Sequence, residues 1–145
     1  MWTLRIGSLA LFALLTACVQ LPPTPQDIQA KRFESAPGKA VVYLVRTNPD
    51  LGDVPATVML NYDMMGATYM GTYFRWELPP GRHRIAGYAS DHGTITVDVQ
   101  PDRMYFVQQV VRGGGRAATA HSTFRVMDER QGRAAVLNGM RVGHL

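Results

Sequence analysis

From Lys39 to Met127 apolar and polar positions alternate in short runs broken by glycine, proline, Asn and Asp. A period of two places successive side chains on opposite faces and predicts extended strands. Thr94 to Val99 alternates strictly, with Ile95, Val97 and Val99 inward and Thr94, Thr96 and Asp98 outward. Ala40 to Arg46 and Met104 to Arg112 are apolar on both faces, which predicts interior strands. Ala56 to Tyr62 alternates with Val58, Leu60 and Tyr62 on one side. Asn61, Asp63 and Gly66 then read as turns, Tyr69 to Met70 as a short extended piece, and 117–127 as a weaker returning strand. The densest stretch, Tyr73 to Tyr88, has two alternating runs joined by Pro79-Pro80-Gly81 and predicts a β-hairpin. Phe74, Trp76 and Leu78 face inward, with Tyr73, Arg75 and Glu77 outward. Beyond the turn His83, Ile85 and Gly87 face inward, with Arg82, Arg84, Ala86 and Tyr88 outward.

At Asp128 the period changes. Asp128 and Gln131 match a capping box, Ala134, Ala135 and Leu137 make an apolar stripe, and Asn138-Gly139 is a stop signal. Gly132 weakens this helix and predicts a short one. The expectation is an all-β fold: a small antiparallel β-sandwich of about seven strands with a short C-terminal helix.

The first residues follow another pattern. Arg5, an apolar run from Ile6 to Ala17 and small residues before Cys18 have the layout of a secretory signal. About 12 apolar residues reach only ~18 Å as a helix, short of the ~30 Å hydrocarbon core, so a retained span is disfavoured. Leu15-Thr16-Ala17-Cys18 resembles the lipobox of bacterial lipoproteins. That resemblance implies a lipidated Cys18 as the first residue of the mature chain; an ordinary signal peptide with a coincidental cysteine is the alternative. Val19 after the cysteine leans toward the outer membrane by the same resemblance. The domains expected are a signal peptide at 1–17, a flexible tether at 18–37, rich in proline over Leu21 to Pro25, and a β-sandwich at 38–145.

Length and charge narrow the rest. With 145 residues there is room for one core. The net charge of +4 is modest, and the arginines are scattered without a dense run, which argues against a nucleic-acid partner. Cys18 is the lone cysteine, so neither an internal disulfide nor a thiolate metal site is available.

Three kinds of chemistry have candidate residues in the chain. Ser90-Asp91-His92 holds the residue types of a catalytic triad, but neighbours in sequence do not converge as a triad does, and a turn is the better reading. His83, His92, His121 and His144 stand singly, and no metal or other cofactor is expected from their spacing. Met59, Met64, Met65 and Met70 would suit Cu(I), although methionine also fills irregular cores. A Tyr/Arg face made of Tyr73, Arg75, Arg82, Arg84 and Tyr88 is the candidate ligand-binding surface.

Val41 to Arg46, Val58 to Asn61, Gly71 to Phe74, Leu78 to His83 and Tyr105 to Val107, behind a lipobox, resemble the bacterial lipoprotein family carrying domain of unknown function 2846. Modules of the PEGA type also use a Pro-Gly turn before an outgoing strand. That family usually has a glycine after the Leu-Asn turn, where Tyr62 and Asp63 stand here. The resemblance implies a small β-sandwich on a lipid anchor and no established activity. The expected function is therefore a non-enzymatic lipoprotein of the cell envelope, held in the inner leaflet of the outer membrane and facing the periplasm. Its expected partners are the membrane, through the lipid, and an envelope protein or peptidoglycan. A ligand-binding module for glycan or copper is the alternative.

Overall fold

The run that is apolar on both faces, Ala40 to Arg46, is the central strand of the molecule and is buried along its whole length. A computed structural model describes residues 22–51, 54–88, 91, 93–113 and 120–143. Helix α1 (Pro25–Ala30) precedes β1 (Ala40–Arg46), β2 (Ala56–Leu60), β3 (Asp63–Thr68), β4 (Thr72–Leu78) and β5 (Gly81–Gly87). Then come β6 (Thr94–Val99), β7 (Met104–Arg112), β8 (His121–Met127), α2 (Glu129–Leu137) and β9 (Met140–Arg141).

Two sheets form a β-sandwich. One has the order β8-β7-β1-β4-β9 and the other β3-β2-β5-β6. The second sheet is antiparallel throughout. The first is mixed, since β1 runs antiparallel to β4 but parallel to β7, and β4 runs parallel to β9. Nine strands are described rather than about seven, because the turn-rich segment after Asn61 pairs as β3 and the tail returns as β9.

The expected hairpin is not one. β4 belongs to the first sheet and β5 to the second, so Pro79-Pro80-Gly81 carries the chain across the sandwich from one sheet to the other. Proline lacks an amide donor and suits such a corner, and Gly81 adopts a φ of 126°. The inner face follows the alternation. Phe74, Trp76 and Leu78 meet Ile85, Val97 and Val99 between the sheets, together with Val42, Leu44, Val58 and Val107. Phe74 and Trp76 stack with ring centroids 5.4 Å apart.

A second core lies on the other side of the first sheet. Val41, Tyr43, Val45, Tyr73 and Phe106 are covered there by Ala30, Ala36 and Val136. The segment expected to be a free tether is thus folded from α1 onward and closes this core. Thr24 caps α1 by accepting from the Asp27 amide at 3.1 Å, and Phe33 packs on Tyr43 at 5.7 Å and under Arg133 at 4.5 Å. Helix α2 starts as expected, with Asp128 accepting from the Gln131 amide at 2.9 Å. Its Gly132 has a packing role: a Cβ there would collide with the Phe106 ring, so only glycine lets the helix lie this close to β7.

Candidate functional site

The Tyr/Arg face divides between opposite sides of the sandwich. Tyr73 and Arg75 alternate outward from β4, but that side is the one α1 and the following loop cover, and Tyr73 is completely buried. Its hydroxyl donates to Asp27 Oδ1 at 2.8 Å, and the same oxygen accepts from the Arg141 amide at 2.8 Å. Lys31 Nζ stands 2.9 Å from Asp27 Oδ2. Burial pushes the Asp27 carboxyl up, but these hydrogen bonds and Lys31 outweigh it and hold the group below its ordinary 3.8. Burial, and next the bond to Asp27, raise the Tyr73 hydroxyl far above the tyrosine range. Asp27 pins α1, β4 and β9 together.

Arg75 is half-buried beside it. Its guanidinium donates to Glu77 at 2.7 Å and to the Glu34 carbonyl at 3.3 Å. Arg75 holds Glu77 below the ordinary carboxylate value.

Arg82, Arg84 and Tyr88 do share one face, on the outer side of the second sheet. Arg84 lies 5.3 Å from the Tyr62 ring centroid, and Tyr88 is exposed. Behind them the β2–β3 turn is locked to β5. Asn61 and Tyr62 both take positive φ, at 51° and 75°, the geometry of a type I′ hairpin turn. Asn61 Oδ1 accepts from the Arg84 amide at 3.0 Å, which turns its amide nitrogen toward His83 Nδ1 at 2.8 Å. His83 Nε2 in turn donates to the Pro79 carbonyl at 2.8 Å. His83 is a buried strap between the turn and the corner.

One end of the sandwich interior is polar, and no motif announced it. Arg46 is fully buried, and its Nε donates to Asp50 Oδ2 at 2.7 Å while Nη1 donates to the Val54 and Thr68 carbonyls. The Thr68 hydroxyl donates to Gln109 Oε1 at 2.7 Å, and Gln109 Nε2 donates to Ser122 Oγ at 2.9 Å. Asp91 Oδ1 accepts from the Ser122 and Gly93 amides. The signal available was Gln109, a polar residue at an inward position between Val107 and Val111.

This end contains a serine, an aspartate and a histidine but not a relay. Ser122 Oγ is occupied by Gln109, and His121 Nδ1 stands 3.9 Å from Asp91 Oδ1, outside hydrogen-bond reach. Ser90 and His92 lie outside the described residues. Among the described residues no three His, Cys, Asp or Glu side chains converge as a metal set. Of the methionines, Met59 and Met64 are cross-strand partners on β2 and β3, with Met64 exposed, while Met65 on the opposite face of β3 packs into the core.

Two concavities are lined wholly by described residues. A groove of about 390 Å³ follows the edge of β4 past β9, lined by Arg75, Trp76, Glu77 and Arg141, with Leu60 and Met65 from the second sheet. Trp76 is buried there, and its indole N–H has no hydrogen-bond partner among the described residues. A larger cleft of about 650 Å³ lies between α1 and the end of α2, lined by Pro22, Pro23, Leu137 and Met140. Cys18 lies outside the described residues. Compared with protein-family models, curated proteins and solved structures, the chain matches none.

Proposed function

We propose that this is a lipid-anchored, non-enzymatic lipoprotein of the bacterial cell envelope whose β-sandwich binds a protein or another envelope component. The observation that carries the reading is Leu15-Thr16-Ala17-Cys18 at the end of a 12-residue apolar run behind Arg5. Two or three acyl chains on Cys18 give stable anchoring where one would be marginal. The sandwich suits a presenting role: the polar groups at one end of its interior bond to each other, as in the Arg46–Asp50 and Thr68–Gln109–Ser122 bonds.

Radiolabelled palmitate is expected to enter the wild-type protein, and Cys18→Ala is expected to abolish labelling. A wild-type protein that takes up no palmitate sinks the anchor. A glycan-binding module is the second reading, favoured by the groove in which Trp76 lies beside Arg75 and Glu77. Salt-resistant binding to isolated peptidoglycan supports it, and the absence of such binding removes it.

A further inference from the structure

The chain is folded against the first sheet from α1 onward, so little of it is left between the domain and Cys18. Described chain begins at Pro22, and Cys18 stands four residue steps before it. Fully extended, four steps span at most about 14 Å. A domain of this size has a radius of gyration of about 13 Å, so its outer surface stands roughly 17 Å from its centre. The leash is shorter than the body it holds. With an acylated Cys18 at the headgroup level, the side of the domain carrying Pro22 is the one the bilayer meets.

That side is apolar where it should be polar. Pro22 and Pro23 line the same cleft as Leu137 and Met140. Leu137 is 55% exposed and Met140 57% exposed. Ile28, 48% exposed, lies on α1 within a turn of Thr24 and Lys31, which also line the cleft. These three come from three different elements and have no covering partner among the described residues. Lys31 and Arg141 also line this cleft, where Lys31 is held by Asp27 and the Gly139 carbonyl and Arg141 donates to the Gln26 carbonyl.

We infer that the face formed by Ile28, Leu137 and Met140 is a membrane-docking surface, which seats the domain on the bilayer holding its own lipid in one fixed orientation. The inference rests on the anchoring reading above. Apolar side chains seated this way enter about 5–10 Å into the headgroup–acyl boundary. The outer face of the second sheet, with Arg82, Arg84 and Tyr88, then points away from the membrane and is free for a partner.

The test is quenching by brominated acyl chains in phosphatidylethanolamine/phosphatidylglycerol vesicles. The acylated protein carries a reporter as Leu137→Trp or, on the far sheet, Tyr62→Trp, with the wild-type emission of buried Trp76 subtracted. Leu137→Trp is expected to lose at least about half of its added emission, since its depth brings bromine into contact, and Tyr62→Trp to lose none. Adding Met140→Asp and Ile28→Asp to the Leu137→Trp reporter is expected to restore its emission. A second arm couples the Cys18 thiol of unacylated mature protein to a maleimide phospholipid in the same vesicles. If cells do not acylate the protein but the coupled form quenches at Leu137→Trp alone, the anchoring reading fails and the docking surface stands. Equal quenching at both positions, or none at Leu137→Trp in either arm, overturns the proposal.

Discussion

Asn61 performs three tasks with one short side chain. It takes the left-handed conformation, accepts from the Arg84 amide and donates to His83. Alanine disfavours positive φ by about 1–2 kcal/mol and supplies neither bond. Asn61→Ala is expected to lower stability by about 2–3 kcal/mol, read as a shift in the urea midpoint. Tyr62 beside it takes a φ of 75°, a conformation better suited to glycine, and its ring contact with Arg84 offsets part of that cost. Asp27 governs acid behaviour. Its carboxyl sits below its ordinary 3.8 when folded, so the unfolded chain binds the proton more tightly. The stability this group contributes is therefore complete above pH 3.8 and is lost as pH falls through the lower folded value. Urea titrations at pH 7, 4 and 3 are expected to show this loss in the wild type, on a base already lower by about 2 kcal/mol and with a shallower acid slope in Asp27→Asn.

At the scale of elements, helix α2 sets two effects against each other. Gly132→Ala gains about 1 kcal/mol of helix propensity but drives a methyl into the Phe106 ring. Overpacking of this kind costs about 1–3 kcal/mol, so the variant is expected to unfold at lower temperature. Gly132→Ala with Phe106→Ala, which removes the Cγ and Cδ1 atoms in the way, is expected to be less destabilised than the sum of the two, and a double-mutant cycle in thermal unfolding measures that coupling. The strands themselves were legible in sequence because period-two alternation is imposed locally by which face is buried. Pairing was not. Pro79-Pro80-Gly81 looks the same whether it turns a strand back on its neighbour or sends it across to the opposite sheet. What decides is that the other flank of β4 takes the two-residue β9, while β5 finds β2 and β6. Neither partner is visible in the run from Tyr73 to Tyr88.

The described residues form three layers: helices, the mixed sheet and the antiparallel sheet. The helical layer explains why Tyr73 and Arg75 did not form a surface with Arg82, Arg84 and Tyr88. An alternating strand shows two faces but not that a later-packed segment covers the outer one. Here the cover comes from residues that read as a tether because of their prolines, although Thr24 and Pro25 also make a sound helix start. Phe33→Ala distinguishes the two roles. Phe33 touches Tyr43, Phe106 and Arg133, so its loss is expected to cost about 2 kcal/mol in guanidinium unfolding, against almost nothing for a residue in a free leash.

Strand β1 is hydrogen-bonded on one edge to β4 and on the other to β7, so both of its partners lie downstream of it. A chain emerging from its N-terminus therefore exposes Ala40-Val-Val-Tyr-Leu-Val-Arg46 long before either neighbour exists. Seven residues of high β-propensity, one charge and no proline or glycine are the signature of a cross-β former. A synthetic peptide of residues 40–46 is expected to assemble into fibrils that bind thioflavin and give the ~4.7–4.8 Å meridional reflection. A peptide that stays monomeric at millimolar concentration contradicts this. The strand that centres the native sheet is thus a segment in need of chaperone protection before folding is complete.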